Sequence, residues 1–219
     1  MNTIAQTKVA TSSFLMKVMN YVGLAFLVTA LGALFAPQIL PQSFLLGGGM
    51  WLIFIAEIAL IFTSSRWSQL KRPTNILLFC LFAFLSGITL YPLLLVAINV
   101  GGTAIVFKAL IATASMTFAA GLYAKNTERD LSGMGGFLTM GVIGLIVVGI
   151  LQMFWFSNTV EMFASGFGVL LFSGFIAYDI QTIQRYPENR AIEASLALYL
   201  SIFNLFVSVL RLLISLNRD

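Results

Sequence analysis

The sequence predicts an all-α integral membrane protein. Of its 219 residues, 59% are hydrophobic and only 9% are charged, whereas a soluble domain is about 25% charged. The mean hydropathy is +0.98. The apolar residues gather in seven runs, each long enough to cross a hydrocarbon core of about 30 Å as a helix. Only helices cross as isolated runs of this kind, because lipid offers no partner to a free backbone group.

The first run covers 18–36 and is predicted to end at Pro37 and Pro41, since proline breaks the helical hydrogen-bond ladder. The second covers 44–63, with Gly47, Gly48 and Gly49 near its start and Glu57 inside. The third is 75–96, with Pro92 near its end, and the fourth is 103–123, carrying Lys108. The fifth is 135–154, the sixth 162–180 and the seventh 192–216, the last holding Ser201, Asn204 and Arg211. Residues 1–17 form a polar to mildly basic tail, expected to be unstructured; residues 18–219 form one membrane domain. The first run is too long for a cleaved signal and lacks a small-residue cleavage site, so it reads as an anchor. The glycines of the fifth and sixth runs, among them Gly141, Gly144, Gly149, Gly166, Gly168 and Gly174, are expected to let helices approach closely.

Charge fixes the expected orientation. Lys8 and Lys17 lie in the tail. Arg66, Lys71 and Arg72 lie in the second loop, Lys125 and Arg129 in the fourth, and Arg185 and Arg190 in the sixth. The first, third and fifth loops hold no Lys or Arg. Basic residues on alternate loops mark the cytoplasmic side. The amino terminus is therefore expected inside and the carboxy terminus outside.

Several function classes are excluded. There is no histidine, which removes the commonest general base and metal ligand. Proton sensing, if present, falls to carboxylates. Cys80 is the one cysteine and reads as a small apolar residue. No nucleophile–base set, zinc motif, phosphate loop or paired aspartate motif occurs, so no enzyme and no cofactor are expected. The net charge of +4 fits topology and contact with anionic lipid. No nucleic-acid partner is expected.

Polar residues at membrane depth remain. Ionisable groups there are rare and mark ion or proton sites, or pair with each other. Asp179 ends the sixth run, at the expected cytoplasmic mouth; a plain interfacial carboxylate beside Arg185 is its bland alternative. Glu57 lies in the inner half of the second run. Ser201 and Asn204 lie two to three turns into the seventh, on neighbouring faces. Arg66 sits just past the inner end of the second. These five could converge. Lys108, Glu161 and Arg211 map to the outer side, where Lys108 can snorkel and Arg211 can snorkel or pair with Glu161.

The stretch FSGFIAYDIQTIQRYPENRAIEASLALYLSIFNLFVSVLRLL, residues 172–213, resembles the Bax inhibitor-1 family. The matching features are Tyr178–Asp179, Leu198–Tyr199–Leu200, Asn204–Leu205–Phe206 and Leu210–Arg211, with FLSGITLYP at 84–92 and ERDLSG at 128–133. The resemblance implies six helices around a central seventh. It also implies a bacterial inner-membrane protein acting as a pH-sensitive calcium leak channel, with calcium or protons as permeant partners beside the bilayer. In that pattern two aspartates on the last two helices share a proton near the cytoplasmic mouth, and an arginine after the second helix completes the latch. Asp179 is the first aspartate and a transient calcium contact. Arg66 is the nearest latch arginine, with Lys71 competing, and Glu57 is a candidate second carboxylate.

The chain departs from the pattern at Ser201, which stands where the second aspartate belongs. A serine can donate a hydrogen bond to Asp179 but cannot share a titrating proton with it. The serine also resembles a bacterial subgroup that modulates the membrane AAA protease FtsH, as a slowly processed substrate engaged through its cytoplasmic tail. That is the alternative function implied.

Overall fold

A computed structural model of the chain describes the backbone of residues 2–218, and the side chains of 13–218 other than Arg72. The described residues form helices α1 (Asn2–Ile39), α2 (Gln42–Leu45), α3 (Met50–Thr63), α4 (Arg72–Asn126), α5 (Gly135–Phe154), α6 (Asn158–Ile183) and α7 (Ala191–Leu216). Short 3-10 turns precede α4, α5 and α7, and no strand occurs among the described residues. The protein is an all-α membrane protein.

The fifth span begins and ends where the sequence predicts. Others differ for physical reasons. Pro37 does not stop α1, which continues to Ile39; a proline in a last turn forfeits only its own bond to the preceding turn. Pro41 instead precedes α2. The tail expected to be unstructured is helical from Asn2, with side chains up to residue 12 lying outside the description. It contains neither glycine nor proline, and it extends a helix already nucleated by the span. The second span is interrupted: α2 stops at Leu45, turns over the glycines, and α3 starts at Met50. A Cβ at Gly47 would lie 2.4 Å from the Ser43 carbonyl oxygen, so the turn requires a glycine there.

The third and fourth spans run together as α4, whose apolar stretch Pro73–Asn126 is 54 residues long. At about 1.5 Å per residue that exceeds twice the bilayer core. Helical geometry fails at Gly101 (φ −142°, ψ 21°) and Gly102 (φ 66°, ψ −172°), and the second of these is a conformation essentially confined to glycine. The break falls between the two predicted spans. With α1, α3, α5, α6 and α7 it gives seven apolar segments.

The helices group into two compact units: Met1–Pro92 with Ile183–Tyr199, and Leu93–Thr182 with Leu200–Asp219. In the first, the fully buried Tyr199 sits among Phe26, Phe79 and Phe82, at centroid distances of 5.0, 5.9 and 6.0 Å. Here α1 and α4 cross backbone to backbone. A Cβ at Gly32 would stand 2.2 Å from the Phe84 carbonyl oxygen, and one at Gly87 would stand 2.1 Å from that of Thr29.

In the second unit, Ala124, Leu131 and Ala177 form a small core with Tyr178 and Ile180. Gly141 and Gly168 make the expected close approaches, to Leu171 and Ser208. Gly144, Gly149 and Gly166 do not: a Cβ added at any of them would meet nothing within 4 Å. The helix expected to be central, α7, is the most buried span: 50% of its apolar window is buried, against 6% for α5. Phe62, Phe137, Leu170 and Trp155 are all more than 70% exposed, an outer surface suited to acyl chains and not to water.

Candidate functional site

The second unit brings together two of the residues singled out by sequence. Ser201, on α7, donates from Oγ to Asp179 Oδ2, on α6, at 2.5 Å. Both side chains are buried, at 6% and 7% exposure. A carboxylate in such a place must find donors, and a hydroxyl facing it from the next helix supplies one.

The chain around Asp179 is held from outside the helix. Two residues on, Gln181 Oε1 accepts from the Leu131 backbone N–H at 2.7 Å, and Gln181 Nε2 donates to the Arg129 carbonyl at 2.9 Å. Asp130 accepts from the Ser132 N–H at 3.0 Å and caps the same loop. The ERDLSG segment is thus a strap across the end of α6. Tyr178 lies against Gly135, where a Cβ would stand 2.9 Å from the tyrosine hydroxyl.

Asn204 makes no hydrogen bond to the pair among the described residues. It donates to the Leu200 carbonyl of its own helix at 2.8 Å. Arg66 is exposed in the turn after α3 and makes no ion pair among the described residues. Lys71 is exposed as well.

Glu57 belongs to a different polar chain, in the first unit. Ser86 Oγ donates to Glu57 Oε1 at 2.7 Å, and Ser86 also faces the Phe82 carbonyl at 3.0 Å. Thr89 is a further hydroxyl beside the carboxylate. The Tyr199 hydroxyl lies 2.7 Å from Thr29 Oγ1, which itself donates to the Ala25 carbonyl at 2.9 Å. Tyr199 also interacts with Ser86. Thr29, Tyr199, Ser86 and Glu57 therefore link α1, α7, α4 and α3 through buried polar groups. Sequence reasoning named Glu57 but missed its three partners. The only signal was that Tyr199 and Ser86 both lie inside the blocks that carry the family resemblance.

At the other ends of α6 and α7, Arg211 Nη1 pairs with Glu161 Oε1 at 3.1 Å, as one of the sequence alternatives has it. Lys108 is exposed. Among the described residues no three His, Cys, Asp or Glu side chains gather as a metal cage. Asp179 with Ser201 brings a carboxylate and a hydroxyl together, with no closed coordination shell among the described residues.

Comparison with known proteins shows the family. The family model described as "Inhibitor of apoptosis-promoting Bax1" matches residues 11–218. An uncharacterised Campylobacter jejuni protein is 36% identical over 76% of this chain and 72% of its own. An uncharacterised Helicobacter pylori protein is 37% identical over 77% and 74%. The Escherichia coli inner membrane protein YbhL is 30% identical over 96% and 95%. With the Tyr-Asp end of α6, the Leu-Tyr-Leu core of α7 and the strap between α4 and α5 all in place, the chain belongs to the Bax inhibitor-1 family.

Proposed function

We propose that this protein is a cation leak pathway of the inner membrane, with calcium as permeant ion, gated at the Asp179–Ser201 clasp. The observation that carries the reading is the buried 2.5 Å hydrogen bond joining α6 to α7. An intramembrane carboxylate with a dedicated donor fits a site that an ion or proton must pass. The basic residues on alternate loops support a cytoplasmic amino terminus and, with it, a clasp at the inner mouth.

The serine sets the sign of the pH response. Where two aspartates share one proton, the proton is the glue, and removing it opposes two negative charges. Here no proton needs to be shared. A hydrogen bond to an ionised carboxylate is roughly twice as strong as one between neutral groups. The clasp is therefore tightest with Asp179 ionised, and acidification loosens it. This chain inverts the response of the two-aspartate arrangement.

The test is calcium entry into proteoliposomes that hold a calcium-sensitive dye, measured from acid to neutral pH. Entry above that of protein-free liposomes is expected, and it increases on acidification. No entry at any pH would overturn the reading.

A further inference from the structure

The first unit contains a polar cavity of about 370 Å³. Its lining includes Lys17 and Tyr21 of α1, Ser68 of the turn after α3, Asn75 at the start of α4, and Glu188 and Asn189 just before α7. These positions fall at the ends of candidate spans, which begin at Ser13, Pro73 and Glu188 and end at Gln69. The cavity therefore lies where a span meets the headgroup layer, and it holds none of the residues of the Asp179 clasp.

Three features of the lining point to a ligand. Asn75 is only 6% exposed, and its Oδ1 has no hydrogen-bond partner among the described residues. A buried acceptor left without a donor is costly, so the site has a standing demand for an N–H or O–H group. Lys17 and Glu188 supply one charge of each sign, and neither makes an ion pair among the described residues. Leu70, an apolar residue of the lining, is 41% exposed, a surface for chains that a headgroup would trail.

A purely anionic ligand would use Lys17 but would oppose Glu188 and give nothing to Asn75. A simple cation would meet the ammonium of Lys17. A group with an anion at one end and a hydrogen-bonding ammonium at the other satisfies all three. We propose that this cavity binds a phosphoethanolamine group, with the phosphate toward Lys17 and the ammonium toward Asn75 and Glu188. The volume is about that of a dozen waters at ~30 Å³ each, which accommodates such a headgroup.

The test is native mass spectrometry of the full-length chain in detergent with added lipid. Phosphatidylethanolamine is compared with phosphatidylcholine of the same acyl chains, which carries the same charges but no ammonium N–H. An approximately fivefold preference for the ethanolamine lipid is expected, the scale of one hydrogen bond. The preference should fall in Glu188→Gln, whose neutral amide oxygen is the weaker acceptor for the ammonium, and vanish in Asn75→Val if that variant folds; Glu188 is exposed, so an unchanged preference in the first variant already counts against the proposal. Free phosphoethanolamine is added as a competitor. Displacement of the lipid assigns the site to a soluble ligand, and failure to displace assigns it to the lipid itself; both support the chemistry. Equal binding of the two lipids, or preference for an anionic lipid, would overturn it and leave the cavity to water.

Discussion

Ser201 gives its only hydroxyl proton to Asp179 across 2.5 Å, tying α7 to α6 where both side chains are buried. The bond makes one helix pair dependent on one charge. Ser201→Ala removes the donor and leaves the carboxylate in place. The expected cost is about 1–3 kcal/mol, read as a lower melting temperature in detergent. An unchanged melting temperature would show that the bond does not hold the helices.

The Glu57 chain predicts a graded response. Ser86→Ala strips Glu57 of its 2.7 Å donor and should also cost about 1–3 kcal/mol. Tyr199→Phe keeps the ring among Phe26, Phe79 and Phe82 and removes the hydroxyl shared with Thr29 and Ser86, both of which keep a backbone carbonyl to bond. Thr29 keeps its bond to Ala25, so the loss should be smaller, about 0.5–1.5 kcal/mol. A larger loss for Tyr199→Phe than for Ser86→Ala, measured by thermal melting, would contradict this order.

The crossing of α1 and α4 predicts a glycine contrast. A methyl at position 87 would meet a carbonyl oxygen at 2.1 Å, and backbone cannot rotate away as a side chain can. Gly87→Ala should lose about 1–3 kcal/mol through overpacking. Gly144→Ala, with nothing within 4 Å, should be neutral or gain up to about 1 kcal/mol from helix propensity. Equal melting temperatures for the two variants would remove the close approach from the fold's requirements.

The Arg211–Glu161 pair should matter little. The Arg211 side chain is 48% exposed, and pairs of this kind contribute about 0–1 kcal/mol. Glu161→Gln is expected to melt within a few degrees of the parent protein. A loss comparable to that of Ser201→Ala would give the pair a structural weight that its exposure does not support.

The sequence made the spans legible because hydrophobic runs report the bilayer directly. The Asp179–Ser201 relationship was legible through the family resemblance, whose Tyr-Asp and Leu-Tyr-Leu blocks carry the two positions that meet. Proline positions misled, since Pro37 lies in a last turn where its missing N–H costs little. The tripled glycine at 47–49 looked like the start of a helix and proved to be a turn between two. What could not be read was pairing at a distance. Ser86 finds Glu57 across 29 positions and Thr29 finds Tyr199 across 170, and no local periodicity records which hydroxyl meets which. Gly32 and Gly87 were invisible for the same reason, whereas Gly144 and Gly149, among the conspicuous glycines of α5, face open space.

The most direct measurement compares calcium entry into proteoliposomes as a function of pH for the parent protein, Asp179→Asn and Ser201→Asp. Asparagine keeps an acceptor for Ser201 and loses the charge, so its flux should not respond to pH. The parent should open on acidification. Ser201→Asp restores a pair that shares a proton, so its response should reverse. A parent flux that falls on acidification, or an Asp179→Asn flux that keeps the parent's pH dependence, would contradict gating by the Asp179–Ser201 clasp.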